Sequence, residues 1–140
     1  GATILSVYCA ARLRDAVGAE PRVRLAVLFG SAARGGERAS SDLDVGVQLE
    51  PRGPSLASLA VTLSRAAGRE VDLVSLDEAP PLLRFEIARE GVVLVERKPF
   101  AWADFRARAM IDWWDWAPTA RIMHSAALAR MREGLASGPA

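Results

Sequence analysis

Leu28-Phe29-Gly30-Ser31-Ala32-Ala33-Arg34-Gly35, followed by Ser40-Ser41-Asp42-Leu43-Asp44-Val45, is the stretch on which the reading of this chain turns. The apolar run Leu25-Ala26-Val27-Leu28-Phe29 stops abruptly at Gly30-Ser31. After ten further residues, a second apolar run opens with two carboxylates at spacing two. Successive side chains on a strand point to opposite faces, so Asp42 and Asp44 share one face and Leu43 takes the other. Two carboxylates so close repel unless a cation lies between them. A hard divalent ion such as Mg²⁺ suits them, because it takes oxygen ligands and often keeps a substrate phosphate as another. A glycine at the end of a strand lets backbone N–H groups approach that phosphate, and a helical turn after it would add a positive dipole end.

Gly30-Ser31 followed at this spacing by Asp42-Leu43-Asp44 resembles the signature of the nucleotidyltransferase superfamily related to DNA polymerase beta. The fuller form, Gly30-Ser31-Ala32-Ala33-Arg34-Gly35 with Ser41-Asp42-Leu43-Asp44, is similar to the minimal nucleotidyltransferases, the MNT family. A lone Gly-Ser or a lone Asp-x-Asp carries little weight; both together, each joined to an apolar strand-like run, form a specific pattern. The segment from Ala79-Pro80-Pro81 to Glu96-Arg97 also looks like what MNT proteins carry next, so the resemblance covers most of residues 20–97.

Bulk properties bound the class. A chain of 140 residues and 15.0 kDa is one domain long enough for a real core. Hydrophobic residues make up 51%, which argues against disorder of the whole. A net charge of +1 provides no whole-protein field for nucleic acid or an anionic membrane. The single cysteine, Cys9, rules out an internal disulfide framework and fits a reducing, cytoplasmic setting. No apolar window is long enough for a membrane span. The start, Gly1-Ala2-Thr3, lacks a signal-peptide pattern and suggests a processed N-terminus.

Periodicity predicts a helix over residues 3–17, stopped at Gly18, with Cys9 as a small buried hydrophobe. Val23 to Phe29 reads as a strand buried on both faces. Asp42 to Leu49 reads as a strand with Asp42, Asp44, Gly46 and Gln48 on a polar face. Ser55 caps a helix with Leu56, Leu59, Ala60, Leu63 and Ala67 on its stripe, ended by Gly68. Glu70 to Leu76 is the third strand, and Asp72 is the only acid in its middle. Pro80 and Pro81 fit the first turn of a helix that Gly91 stops, and Val92 to Val95 is a short strand.

Beyond residue 98 the character changes. Pro99 opens a helix bearing all four tryptophans, Trp102, Trp113, Trp114 and Trp116. Such a stripe reads as core or subunit contact rather than a base-stacking platform. Pro118 interrupts, Thr119 can cap, and Met123, Ala127, Leu128 and Met131 indicate another helix. His124, the only histidine, reads as a satisfied or surface residue.

The expected fold is α/β: a small mixed, twisted sheet with helices against one face and the carboxylates on the other, as in the polymerase beta-like superfamily. Residues 1–98 form the nucleotidyltransferase domain and 99–140 its C-terminal helical extension. The resemblance implies transfer of AMP from ATP to an acceptor hydroxyl. Asp42 and Asp44 would bridge two Mg²⁺ ions, and Asp72 would serve as the third carboxylate, holding the ion that activates the acceptor. Gly30, Ser31, Arg34 and Ser41 would hold the nucleotide, and either homo-oligomers or a hetero-oligomer with the partner are compatible. Small MNT proteins are typically antitoxins that modify a tyrosine of a HEPN ribonuclease toxin, so the resemblance implies such a partner. Two rivals are adenylylation of a small molecule such as an aminoglycoside, and a non-enzymatic partner-binding module.

Overall fold

The computed structural model describes residues 2–33, 42–50 and 55–136. The elements are α1 (Ala2–Gly18), β1 (Val23–Phe29), β2 (Leu43–Leu49), α2 (Leu56–Ala67), β3 (Val71–Ser75), α3 (Pro81–Glu90), β4 (Val92–Glu96) and α4 (Ala101–Ala136). The strands form a four-stranded sheet in the order β3-β2-β1-β4. β1 runs antiparallel to both β2 and β4, whereas β2 and β3 are parallel, so the sheet is mixed as expected.

The uninterrupted apolar run of β1 is explained by its central place. Leu25, Ala26 and Val27 have no exposed surface. On one face, Ala26, Leu28, Leu43, Val45 and Val47 meet Leu13 and Val17 of α1 and Leu59, Leu63 and Ala67 of α2. On the other, Leu25 and Val27 meet Ile87 and Ala88 of α3 and Ala101, Phe105 and Ala109 of α4. Helices thus cover both faces, and the face expected to carry only the carboxylates also carries α3 and α4. The physical reason is that Leu25 and Val27 of β1 lie on that face and need cover. At Gly46, in the middle of β2's polar face, a Cβ would stand 2.4 Å from Leu76 Cδ2, so the bare position leaves room for Leu76 to pack against the strand.

Strict alternation fails at two places. Val23 and Ala26 both contribute to the α1/α2 core, an odd spacing, and the β1–β2 register shifts between Val23 and Leu25. Leu94 and Val95 both face that same core, and the β1–β4 register shifts opposite them. An extra residue in one strand of a pair reverses the faces beyond it, which reconciles both shifts with continuous packing.

Local chemistry fixes the ends. Ser55 Oγ accepts from Ser58 N–H at 3.4 Å at the start of α2, and Gly68, at φ 70°, closes it by donating to Ser64 O at 2.9 Å. The Arg97 guanidinium donates to the carbonyls of Gly18, Glu20 and Val23, tying the end of β4 to the end of α1 and the start of β1.

The C-terminal region corrects the sequence reading. A single helix of 36 residues, α4, runs through Pro118 where two helices were expected. Proline removes one N–H and crowds the carbonyl four residues back, at ~3 kcal/mol inside a helix. Here that carbonyl belongs to Trp114, and both Trp114 and Pro118 are exposed, so water can satisfy it. Trp113 stacks on Phe85 with centroids 5.1 Å apart, and Trp102 stacks on Phe105 at 5.8 Å. Trp114 and Trp116 are exposed, so the tryptophans divide between core and surface. The side chains of Cys9 and His124 lie outside the described residues.

Gly91 joins α3 to β4 where the layers are tightest. A Cβ on it would meet Val27 Cγ1 at 2.4 Å and the Ile87 carbonyl at 2.6 Å. Because one of these is backbone, rotamer changes cannot relieve it. Gly91→Ala is expected to cost ~1–3 kcal/mol, read as a lower urea midpoint with unchanged slope.

Candidate active site

The carboxylate cluster is built by strand register. In the parallel β2–β3 pair, Asp44 lies opposite Asp72, and Leu43 lies opposite Val71. In the antiparallel β1–β2 pair, Asp44 lies opposite Phe29. Leu43 and Val71 enter the α1/α2 core, so Asp44 and Asp72 necessarily point from the other face. Neighbouring strands are roughly 4.8 Å apart, which sets the scale of the Asp44–Asp72 separation. Asp42, two residues before Asp44, is exposed, as is Asp72, whereas Asp44 is half-buried.

Burial holds the Asp44 carboxyl above its ordinary pKa, and the charges of Asp72 and Asp42 push it further in the same direction. The three acids named from the sequence are therefore brought within electrostatic reach of one another. Among the described residues no group of three or more Asp, Glu, His or Cys side chains is arranged to hold a metal ion. The donor chemistry still fits magnesium, which is commonly held by one or two carboxylates and completed by substrate phosphates. A half-buried carboxylate repelled by two others is stabilised in its charged form by a divalent cation.

Gly30 ends β1 with φ at 77°, a left-handed conformation that favours glycine. A Cβ there would lie 2.5 Å from Asp44 Oδ2, so Gly30 is needed twice: for the turn and for room beside the carboxylate. Ser31 follows it, half-buried, at the start of a turn through Ala33. The helical turn expected after Gly30 is therefore a turn over the described residues. Arg34 and Ser41, the other nucleotide-binding candidates, lie outside the described residues.

Two supports were not visible in the sequence. Ser64 Oγ of α2 accepts from Val71 N–H at 2.9 Å, and Leu43 N–H donates to Glu70 O at 2.9 Å. Together they pin the starts of β2 and β3, hence the positions of Asp44 and Asp72. Phe29 presents a half-buried ring on the same face as Asp44, and its place as the last residue before Gly30 was the only available signal.

A cleft of about 820 Å³ lies elsewhere. It is lined by Gln48 and Glu50 at the far end of β2 and by Arg84, Lys98, Arg108 and Asp112 around α3 and α4. Four strand residues separate Asp44 from Gln48, roughly 13 Å at 3.3 Å each. Its charges are mixed in sign, and Arg84 is already paired with Asp112 at 2.8 Å. With no glycine turn and no acid pair in register, it lacks the features that make the Gly30–Asp44–Asp72 end suited to phosphate chemistry.

Comparison with known proteins supports this assignment of the site's class. The family model described as Polymerase beta, Nucleotidyltransferase matches residues 12–100. No curated protein sequence matches the chain. Several solved structures share its fold. One is a toxin–antitoxin with AMP-PNP, at TM-score 0.67 and 26% identity, covering 83% of this chain and 93% of that chain. A second, the toxin–antitoxin MntA–HepT, matches at TM-score 0.62 and 23% identity, covering 89% and 97%. A third is the tri-AMPylated Shewanella oneidensis HEPN toxin in complex with MNT antitoxin, at TM-score 0.63 and 22% identity, covering 90% and 98%. At their identities the second and third bear on the fold alone.

The raised Asp44 pKa has a signed consequence for the metal-free protein. The unfolded chain ionises this carboxyl more readily, so at neutral pH its ionisation opposes folding. That penalty fades as pH falls through the folded-state value toward about 4, the unfolded range. Asp44→Asn is therefore expected to be more stable than the parent at pH 7 in EDTA, with the difference shrinking as the pH is lowered. Paired urea titrations across that range measure it, and a constant difference would contradict the electrostatic origin.

Proposed function

This chain belongs to the polymerase beta nucleotidyltransferase family, and on that premise we propose that it transfers AMP from ATP to a protein hydroxyl, a tyrosine of a HEPN-type toxin, and so acts as the antitoxin. The observation that carries the reading is the register of Asp44 against Asp72 beside the left-handed Gly30. Of the solved structures that share the fold, the one at 26% identity is a toxin–antitoxin with AMP-PNP, which supports ATP as donor and an antitoxin role.

In this reading the acceptor oxygen attacks the α-phosphorus in line. The bond to pyrophosphate breaks, pyrophosphate leaves with the electron pair, and the hydroxyl proton passes to solvent. Asp42 and Asp44 would hold two Mg²⁺ ions, and Asp72 one of them on the acceptor side. Such ions neutralise charge on both the entering and the leaving oxygen. The Gly30 backbone and the Ser31 hydroxyl bind and orient the outgoing phosphates, with Arg34 and Ser41 in support. Asp72, exposed at the sheet edge, is open to an incoming acceptor side chain. Among the described residues no helix is long and apolar enough to cross a membrane.

Calorimetric titration should show ATP binding that requires Mg²⁺ or Mn²⁺ and is strongly weakened in Asp42→Ala and Asp44→Ala. Equal affinity in EDTA would remove the metal assignment. Ser31→Ala should lose a hydrogen bond to a charged group, ~1.5–3 kcal/mol of nucleotide affinity. Asp72→Asn should instead suppress turnover while keeping most of that affinity, because its task is to position the acceptor.

The acceptor is tested separately. Purified chain, ATP and Mg²⁺ should add ~329 Da or multiples to a cognate HEPN-type toxin, the mass of an AMP unit. An unmodified toxin beside a labelled aminoglycoside would overturn the antitoxin reading and leave the transfer chemistry standing.

A further inference from the structure

Past Ala117 the described side chains of α4 are exposed. Phe105, Ala109 and Ala117 are buried, but every described side chain from Pro118 to Glu133 is exposed. Eighteen residues make five full turns of a regular α-helix. Met123, Ala127 and Met131 therefore repeat the angular positions of Phe105, Ala109 and Trp113, five turns further along. Leu128 widens the same stripe. The angular sector that seats on the body of the protein in its first half thus continues with Met123, Ala127, Leu128 and Met131, and His124 also falls within it. Met123 is 61% exposed and Met131 64%.

Charge defines what this face fits. Residues 118–136 carry three arginines, Arg121, Arg130 and Arg132, and one acid, Glu133. At 100° per residue Arg130 borders the Met123 edge of the stripe, while Arg121 and Arg132 border the Leu128 edge. An apolar stripe rimmed on both sides by guanidinium groups is complementary to an apolar groove with acidic rims. A second copy of the helix would set arginine rims against each other, which disfavours self-pairing. The bulky exposed apolar residues Ile111, Trp114 and Ile122 lie off this stripe, which disfavours a bilayer surface as its occupant. A small residue between two methionines lets another helix approach closely, and methionine adapts its shape to the surface it meets.

We propose that residues 118–136 are a docking helix, which lays Met123, Ala127, Leu128 and Met131 into an acidic-rimmed apolar groove of a helical partner protein. This rests on the proposed protein-acceptor reading only in its choice of probe, the purified HEPN-type toxin. Binding of that toxin to the full-length chain is measured by calorimetry for the parent, for Met123→Asp with Met131→Asp, and for Arg121→Glu with Arg132→Glu. Helix content by circular dichroism and Mg²⁺-ATP affinity are measured in parallel. Both variants should keep ATP affinity, and the methionine pair should weaken the complex about 30-fold or more, as expected of anchor residues. The arginine pair should weaken binding and flatten its salt dependence. Parent-like binding by the methionine variant overturns the docking assignment. So does a homodimer of the chain alone that this variant dissolves, or binding to anionic phospholipid vesicles as tight as to the toxin. A complex that forms without AMP transfer refutes the proposed reaction and not the docking helix; transfer without a stable complex does the reverse.

Discussion

Backbone hydrogen bonds between β2 and β3 hold two carboxylates together that would otherwise separate. Asp44 and Asp72 face each other because the parallel register leaves them no alternative once Leu43 and Val71 are buried on the opposite side. The energy that keeps them paired comes from the core, whose apolar burial far exceeds the repulsion of one partly solvated acid pair. The rest of the molecule follows from holding that register. α2 supplies Ser64 to the start of β3, α1 and α2 close the face behind, and Gly30 leaves the room that Asp44 Oδ2 occupies. The site is thus preorganised by the sheet rather than by contacts among its own side chains.

Much of this was legible in the sequence where one residue has one consequence. The run Leu25 to Phe29 required a strand covered on both sides, and it is. Alternation in β2 placed Asp44 opposite to Leu43 and Val45, and the cap residues Ser55 and Gly68 stand where their chemistry required. What escaped depended on pairs of distant residues. That Gly46 leaves room for Leu76, and that α3 and α4 cover the carboxylate face, follows only from three-dimensional closeness. The bulges in β1 and β4 leave no local mark, because apolar residues on both sides hide a change of facing. Pro118 was a sound stop signal by intrinsic cost, overridden in a stretch where both Trp114 and Pro118 are exposed.

The site divides in the same way. The nearness of Gly30 to Asp44 was legible because each ends or opens an apolar run at a fixed spacing, and that of Asp72 because it is the only acid inside its strand. The supporting hydrogen bond from Val71 to Ser64 and the closeness of Phe29 to Asp44 belong to strand pairing, which no spacing in a single chain encodes.

The bulge near the start of β1 bears on which changes of length this chain could survive. It resets the alternation between Val23 and Leu25, upstream of the residues that serve the site. Losing or gaining one residue at that point would turn only Val23, a one-residue lead-in, and leave Leu25 through Gly30 in their facing. The same change in β2 would invert everything on one side of it, driving a carboxylate into the α1/α2 core or an apolar side chain onto the carboxylate edge. A change of length at the entry to β1 therefore costs the burial of one core side chain, whereas inside β2 it disrupts the whole carboxylate face. The bulge in β1 lies away from that face's acids.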